Sequence, residues 1–270
     1  KGESVVFSGG VSEVSSRSLK TTFEFEKDKR IPRDNFQHCL INAAHQFLNK
    51  QGDESYILAG YPWFKCRARD MFISLPGLTL AINEVEKFEM LMETACKAVR
   101  AFINDEPTDL KIYEIEHPDI LLWAVWCIQQ YAKMVSREKC REKYGEILEE
   151  IMEFLRHENH PNLFIHSNGL LYTNGHDKAV TWMNSTANGR PVIPRTGYVV
   201  EINALWYNAL RFVADLLGEK ESTMLTEALN KQAEQAGASF VNVFLNEHGY
   251  LLDYVDGIMM DWSVRPNMIF

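Results

Sequence analysis

Residues 181–211 read TWMNSTANGRPVIPRTGYVVEINALWYNALR, and the way this stretch ends decides the fold. A Gly/Pro-containing loop gives way, just after Glu201, to a helical run (INALWYNALRFVADLLG) that is mostly apolar, with Gly218 placed to close it. A helix apolar on nearly every face has to be buried on nearly every face. The segment after it, residues 220–247, is amphipathic. The same alternation runs upstream. Asp119 opens ILLWAVWCI, apolar all round, and residues 137–156 follow with a heavily charged outer face. Asp70 precedes MFISLPGLTLAI, in which Pro76-Gly77 is expected to break or kink the helix. Phe88, Leu91, Met92, Ala95, Val99 and Phe102 stripe the next helix, opposite Lys87, Glu89, Lys97 and Arg100.

Buried helices alternating with solvent-facing ones predict an all-α protein built as a two-layer ring of helical hairpins, an α/α toroid. A four-helix bundle would make every helix amphipathic. No internal repeat supports a solenoid, and pattern alone also permits a simple stacked array of helices. Residues 1–33 differ in character. Residues 4–7 and 21–26 (TTFEFE) read as strands joined by a Gly/Ser-rich segment. Pro32 and Asp34 then introduce a helix carrying Phe36, Leu40, Ala43 and Phe47. Very little strand is expected after residue 33.

The 270 residues are 46% hydrophobic and 24% charged, with a formal charge of −9 and no basic run, a balance that argues against a nucleic-acid partner. No apolar run approaches the roughly 20 residues that span a bilayer, and no signal-peptide pattern opens the chain. The five cysteines are widely spaced with no C-x-x-C pair. Cys39, Cys96 and Cys127 fall in apolar helical patterns, so buried free thiols and a reducing, cytoplasmic setting are expected. No cofactor or metal is expected. His157 and His160 fall at a helix end before Pro161, which reads as a solvated loop rather than a ligand pair. The chain has no G-x-S-x-G elbow, G-x-G-x-x-G or P-loop.

Asp70, Asp119 and Glu201 each stand at the start of a mostly buried helix. Inner helices of a toroid run parallel, so three acidic groups would converge on one funnel. Each aspartate is equally suited to a plain N-cap, whereas Glu is a poorer cap, so Glu201 leans to function. Trp63 and Arg69 flank Asp70, Trp123 lies one turn after Asp119, and Trp206 follows Glu201. In the opening stretch, Trp182, Asn184, Arg195 and Glu201 are positioned to face one cavity. Aromatic faces beside amides, carboxylates and guanidinium groups suit sugar rings, which present apolar C–H faces and hydroxyl rims. Trp126 and Trp206, inside apolar helices, read as packing residues.

AGYPWFKCRARDMFISLPGL, the Asp119/Trp123 pair, TWMN…PVIPRTGYVVEINALWYNAL and SVRPNMIF together resemble successive motifs of the glycogen debranching enzyme family. More closely, they are similar to its amylo-α-1,6-glucosidase domain, of bacterial and archaeal type and glucoamylase-like. The resemblance covers nearly all of residues 30–270. It implies an (α/α)6 barrel over residues 31–270, incomplete at its C-terminal side, with residues 1–30 the end of a preceding β-rich domain or a linker. It also implies metal-independent, inverting hydrolysis of α-1,6-linked glucose at branch points of glycogen or limit dextrin. Arg69 and Asp70 match the family's pair expected to hold hydroxyls of the terminal glucose. Asp119 and Trp123 match a pocket-lining pair, and Glu201 a sugar ligand or orienter; Trp63, Trp182 and Arg195 complete the expected substrate contacts.

The chain departs from the family pattern at Asn184, where the family carries the aspartate taken as general acid. An amide has no acidic proton to give. Glu201 and Asp119 are then the candidate acids, and a catalytically silent glucan-binding relative is the alternative. The expected base belongs to a later motif beyond Phe270. Lys65-Cys66-Arg67-Ala68 is a smaller departure beside the expected pocket.

Overall fold

The computed structural model describes residues 5–10, 14–61, 63–219 and 222–269. It divides into two compact units, Lys1–Leu48 and Asn49–Phe270. The first holds α1 (Leu19–Asp28) and α2 (Phe36–Phe47). The strand expected over residues 21–26 is therefore wrong. No residue of α1 is buried, so the alternating TTFEFE pattern has no core to alternate against. Helix-spaced ion pairs, Lys27 with Glu24 and Lys29 with Glu26, both at 2.8 Å, favour the helical register instead. Of the strand expected over residues 4–7, residue 4 lies outside the described residues, and residues 5–7 form none. α2 is capped by Asn35 rather than Asp34, the Asn35 side chain accepting from the His38 N–H at 2.8 Å.

The chain continues through a short hairpin, β1 (Leu48–Gln51) and β2 (Glu54–Ile57), into β3 (Cys66–Arg67) and α3 (Ala68–Leu78). The sequence then alternates: α4 (Val85–Ile103), β4 (Ile112–Tyr113), α5 (Ile120–Met134) and α6 (Arg137–Arg156). After α6 come β5 (Phe164–Ile165), β6 (Leu171–Thr173), a small hairpin of β7 (Thr186–Ala187) and β8 (Arg190–Pro191), and β9 (Gly197–Val199). β9 feeds directly into α7 (Val200–Gly218), followed by α8 (Met224–Phe244), β10 (Tyr254–Asp256) and β11 (Met259–Met260). α3 runs through Pro76 and ends two residues later, because a proline this close to the last turn removes a single backbone bond. Ser136 caps α6, accepting from the Lys139 N–H, and a reciprocal capping box between Thr223 and Thr226 starts α8.

Ion pairs fix the helix directions. Lys143, early in α6, meets Glu89, early in α4, while Arg100 farther along α4 reaches Glu146 at 2.8 Å and Glu150 at 2.9 Å. These two helices are therefore parallel. Arg137, at the start of α6, reaches Asp215 near the end of α7 at 2.8 Å, so α6 and α7 are antiparallel. The short links between α3 and α4 and between α5 and α6 make each pair an antiparallel hairpin. It follows that α3, α5 and α7 run parallel, with their N-terminal ends at one end of the layer.

α5 packs between α3 and α7, and α4 and α6 pack together behind them. The core lies between these layers. Phe72, Leu75, Ile120, Leu121, Ile128, Trp206, Leu210 and Val213 from the inner helices are buried against Phe88, Met92, Ile151 and Met152 from the outer ones. The expected alternation of buried and solvent-facing helices is thus present in three hairpins among the described residues.

The scarcity of strand expected after residue 33 is not what the structure shows. An antiparallel five-stranded sheet, in the order β11-β10-β9-β6-β5, covers the N-terminal end of α7. Its strands are two or three residues long, too short for hydrophobic alternation to register. Gly197 sits in this sheet at φ +101°, where a Cβ would fall 2.2 Å from the Val255 carbonyl oxygen.

Candidate active site

The site is built from the N-terminal ends of the three parallel inner helices. Strands β3 and β4 pair in parallel, Cys66 opposite Ile112 and Arg67 opposite Tyr113, which brings the entries to α3 and α5 side by side. One turn on, Arg69 grips Asp119 in a two-pronged pair, Nε donating to Oδ2 at 2.7 Å and Nη2 to Oδ1 at 2.8 Å. Both side chains are buried. The Trp123 indole N–H donates to Asp119 Oδ2 at 3.1 Å. Asp119 holds the N-cap position of α5 but makes no side-chain cap bond, since its oxygens are engaged by Arg69 and Trp123. His117 Nδ1 lies 3.0 Å from Arg69 Nη2. Burial, and then the adjacent guanidinium, hold the His117 imidazole below its usual range, so the neutral ring accepts from Arg69.

The second cluster centres on Arg195 and was only half visible in the sequence. Arg195 is 2% exposed. Its Nη1 donates to Glu201 Oε1 and to Thr181 Oγ1 at 3.1 Å, and its Nη2 donates to Glu201 Oε2 at 2.6 Å. Nη2 also reaches the backbone oxygen and Oδ1 of Asp253, at 3.1 and 2.9 Å. Asp253 in turn accepts from Arg265 Nη1 at 2.6 Å and from Asn267 Nδ2 at 2.6 Å. Arg265 also holds Asp261 at 3.0 Å. Burial pushes the Glu201 carboxyl upward, and hydrogen bonding to Arg195 pulls it back.

The V-E-I-N-A-L-W run is explained residue by residue. Glu201 pairs with Arg195. Asn203 accepts from the Leu171 N–H at 2.7 Å and donates to the Leu171 oxygen at 3.0 Å, tying β6 to α7. Trp206 is fully buried and donates to the Gly169 oxygen at 3.1 Å, a packing role as expected.

Asp70 lies within the first turn of α3 and Glu201 within that of α7; neither is the N-cap residue. The Asp70 carboxylate is exposed and makes no hydrogen bond or ion pair among the described residues. Of the three helix-start carboxylates it is the one without such a partner, whereas Asp119 and Glu201 are bound by arginines. Trp182 is 46% exposed, with its indole N–H donating to Asn267 Oδ1 at 2.8 Å. Asn184 is exposed, and its backbone N–H returns to the Trp182 oxygen at 2.9 Å. Trp63, 81% exposed, sits on the loop before α3 beside exposed Tyr61 and Phe64. The expected set of Trp182, Asn184, Arg195 and Glu201 therefore splits into a buried ion pair and two exposed side chains.

Sequence reasoning missed Asp253, Arg265 and Asn267. Arg265 and Asn267 were in view within SVRPNMIF, but nothing in their spacing from Arg195 signals a shared cluster. His160 is buried rather than solvated: its Nδ1 accepts from the Asn162 N–H at 3.1 Å, and burial lowers its pKa to about 4. No group of three or more His, Cys, Asp or Glu side chains among the described residues is placed to hold a metal ion. No helix among them is long and apolar enough to cross a membrane.

No curated protein sequence matches the chain. Among solved structures, it resembles a metal-independent α-mannosidase of Streptococcus pneumoniae, solved in a non-productive complex with α-1,6-mannobiose. The identity is 13% and the TM-score 0.52, over 92% of this chain and 69% of that one, a likeness of fold. The sequence itself is more specific: residues 42–270 match the amylo-α-1,6-glucosidase family, and the chain belongs to that glycosidase-type family.

Proposed function

We propose that the chain forms the sugar-holding part of an amylo-α-1,6-glucosidase site, acting on α-1,6-linked glucose at branch points of glycogen or limit dextrin. One observation carries this reading: Arg69–Asp119 and Arg195–Glu201 stand at the common end of three parallel helices, where Asp70 and nearly half of Trp182 remain open. Asp70 accepts hydroxyls of the terminal glucose, Trp182 and Trp63 offer faces for sugar rings, and the two arginine–carboxylate pairs hold the walls. Glu201 acts here as an orienter, because both its oxygens are occupied by Arg195. Inversion needs an acid and a base roughly 6.5–9.5 Å apart. Asn184 binds but gives no proton. Five free thiols favour a reducing, cytoplasmic setting.

Asn184 favours a second reading, a silent glucan binder that keeps the pocket without the acid. Incubation of the full-length parent protein with a branched limit dextrin separates the two. Free glucose supports hydrolysis; maltooligosaccharide binding without glucose release supports the silent binder. A gain of hydrolysis in Asn184→Asp supports a pocket otherwise competent for the reaction. Neither release nor binding refutes both.

A further inference from the structure

Trp182 leaves nearly half its surface open, yet its polar edge is not left to water. The indole N–H donates to Asn267 Oδ1 at 2.8 Å. Asn267 is 1% exposed and lies in the 3₁₀ turn Pro266–Ile269. Its Nδ2 donates to Asp253 Oδ1 at 2.6 Å and lies 3.3 Å from Met183 Sδ. An indole N–H only donates and an ionised carboxylate only accepts, so the chemistry fixes which way the Asn267 amide points. A neutral side chain of this length must accept at one end and donate at the other. Leucine does neither, and an ionised aspartate presents a second negative charge to Asp253. Since Asp253 is also gripped by Arg195 and Arg265, Asn267 joins the edge of an exposed ring to a buried ionic framework.

We propose that Asn267 is a positioning residue that locks the indole plane of Trp182, making its open face a pre-set platform for a glucan ring. The ligand half of this inference rests on the glucan reading above; the clamp rests on the hydrogen bonds. A platform held in one orientation does not have to be ordered when the sugar arrives, and that ordering cost is what the clamp removes.

The test uses Asn267→Asp and Asn267→Leu in the whole chain. Two readouts are taken: the indole Nε1–H resonance of Trp182, and calorimetric titration with maltoheptaose. In Asn267→Leu the resonance moves and affinity falls about tenfold, the scale of one lost hydrogen-bonded contact. In Asn267→Asp the same loss is expected at pH 8. Two carboxyls at this separation share a proton as the pH falls, and a protonated aspartic acid both accepts and donates. Affinity therefore returns to within about twofold of wild type, measured at the same pH, by pH 5. A purely structural role lowers the melting temperature of both variants without that acid recovery of affinity.

Folded variants with an unmoved indole resonance, or an Asn267→Asp loss equal at pH 5 and pH 8, overturn the clamp. If wild-type protein fails to bind maltoheptaose, the glucan reading falls and takes the sugar platform with it.

Discussion

Replacing Arg195 with methionine removes the charge that makes the second cluster tolerable. Both Glu201 and Arg195 are essentially without solvent contact, with side-chain exposures of 2% and 1%. After the substitution Asp253 keeps Arg265 and Asn267, each at 2.6 Å, so it stays compensated. Glu201 keeps no cation. Removing one member of a buried pair typically costs about 3–5 kcal/mol, because the partner charge is stranded. In urea that displaces the unfolding midpoint by roughly 1 M or more.

The pH dependence identifies the stranded group. Burial already holds Glu201 above its ordinary value, and losing Arg195 removes the opposing pull. A carboxyl whose folded pKa is raised carries no penalty below its unfolded pKa, where both states are protonated. The penalty grows as pH rises through the folded pKa and is complete above it. Urea unfolding of wild type and Arg195→Met at pH 4.5 and pH 7.5 should therefore show a deficit much larger at the higher pH. Arg195→Met/Glu201→Gln should remove that pH dependence. A deficit under about 1 kcal/mol at pH 7.5, or one equal at both pH values, refutes the assignment of Glu201 as the uncompensated charge.

Asp70→Asn should change stability by no more than about 0.5 kcal/mol while weakening maltoheptaose binding, whereas Asp119→Ala should cost about 3–5 kcal/mol by stranding Arg69; denaturation and titration of both variants check the contrast. Cys39 is exposed, not buried as its apolar pattern predicts, so thiol titration should find it reacting first, while Cys66, Cys127 and Cys140 are buried, with thiols pushed up by burial, and react only on unfolding. His160 is held near pKa 4 when folded, so its contribution is present above its unfolded value of 6.5 and drains away as pH falls toward 4. Unfolding free energies across that window should fall by on the order of 3 kcal/mol more in wild type than in His160→Gln.

The helical layers were legible because each inner helix is long enough for its uniform apolarity to stand out beside an amphipathic neighbour. The carboxylates at helix starts were legible for the same reason: the helix boundaries located them. What the residues could not disclose is partnership. Arg69 and Asp119 are distant in sequence, and Arg195 and Asp253 more so, and no local pattern announces a pair closed by tertiary packing. Strands of two or three residues carry no period. TTFEFE misled in the opposite sense, since alternation implies a strand only where one face is buried. Asn184, by contrast, was legible as an amide where the resembled family carries an aspartate, because that comparison concerns residue type rather than position.

The five-stranded sheet sets an order of events in folding. Its strand β9 stands before α7, while its neighbour β10 comes only after α8, so pairing Tyr198 with Val255 joins the two ends of the helical hairpin, and a hairpin already closed shortens that search. A chain growing from its N-terminus thus presents Arg195 and Glu201 well before Asp253, Arg265 and Asn267 exist to complete their cluster. This end of the helical layer is a late product of folding, finished by non-local contacts that carry a large loop-closure cost. Pulsed hydrogen exchange during refolding should show the β9 and β10 amides becoming protected together, after those of α5. Protection of β9 ahead of α8 would contradict this order.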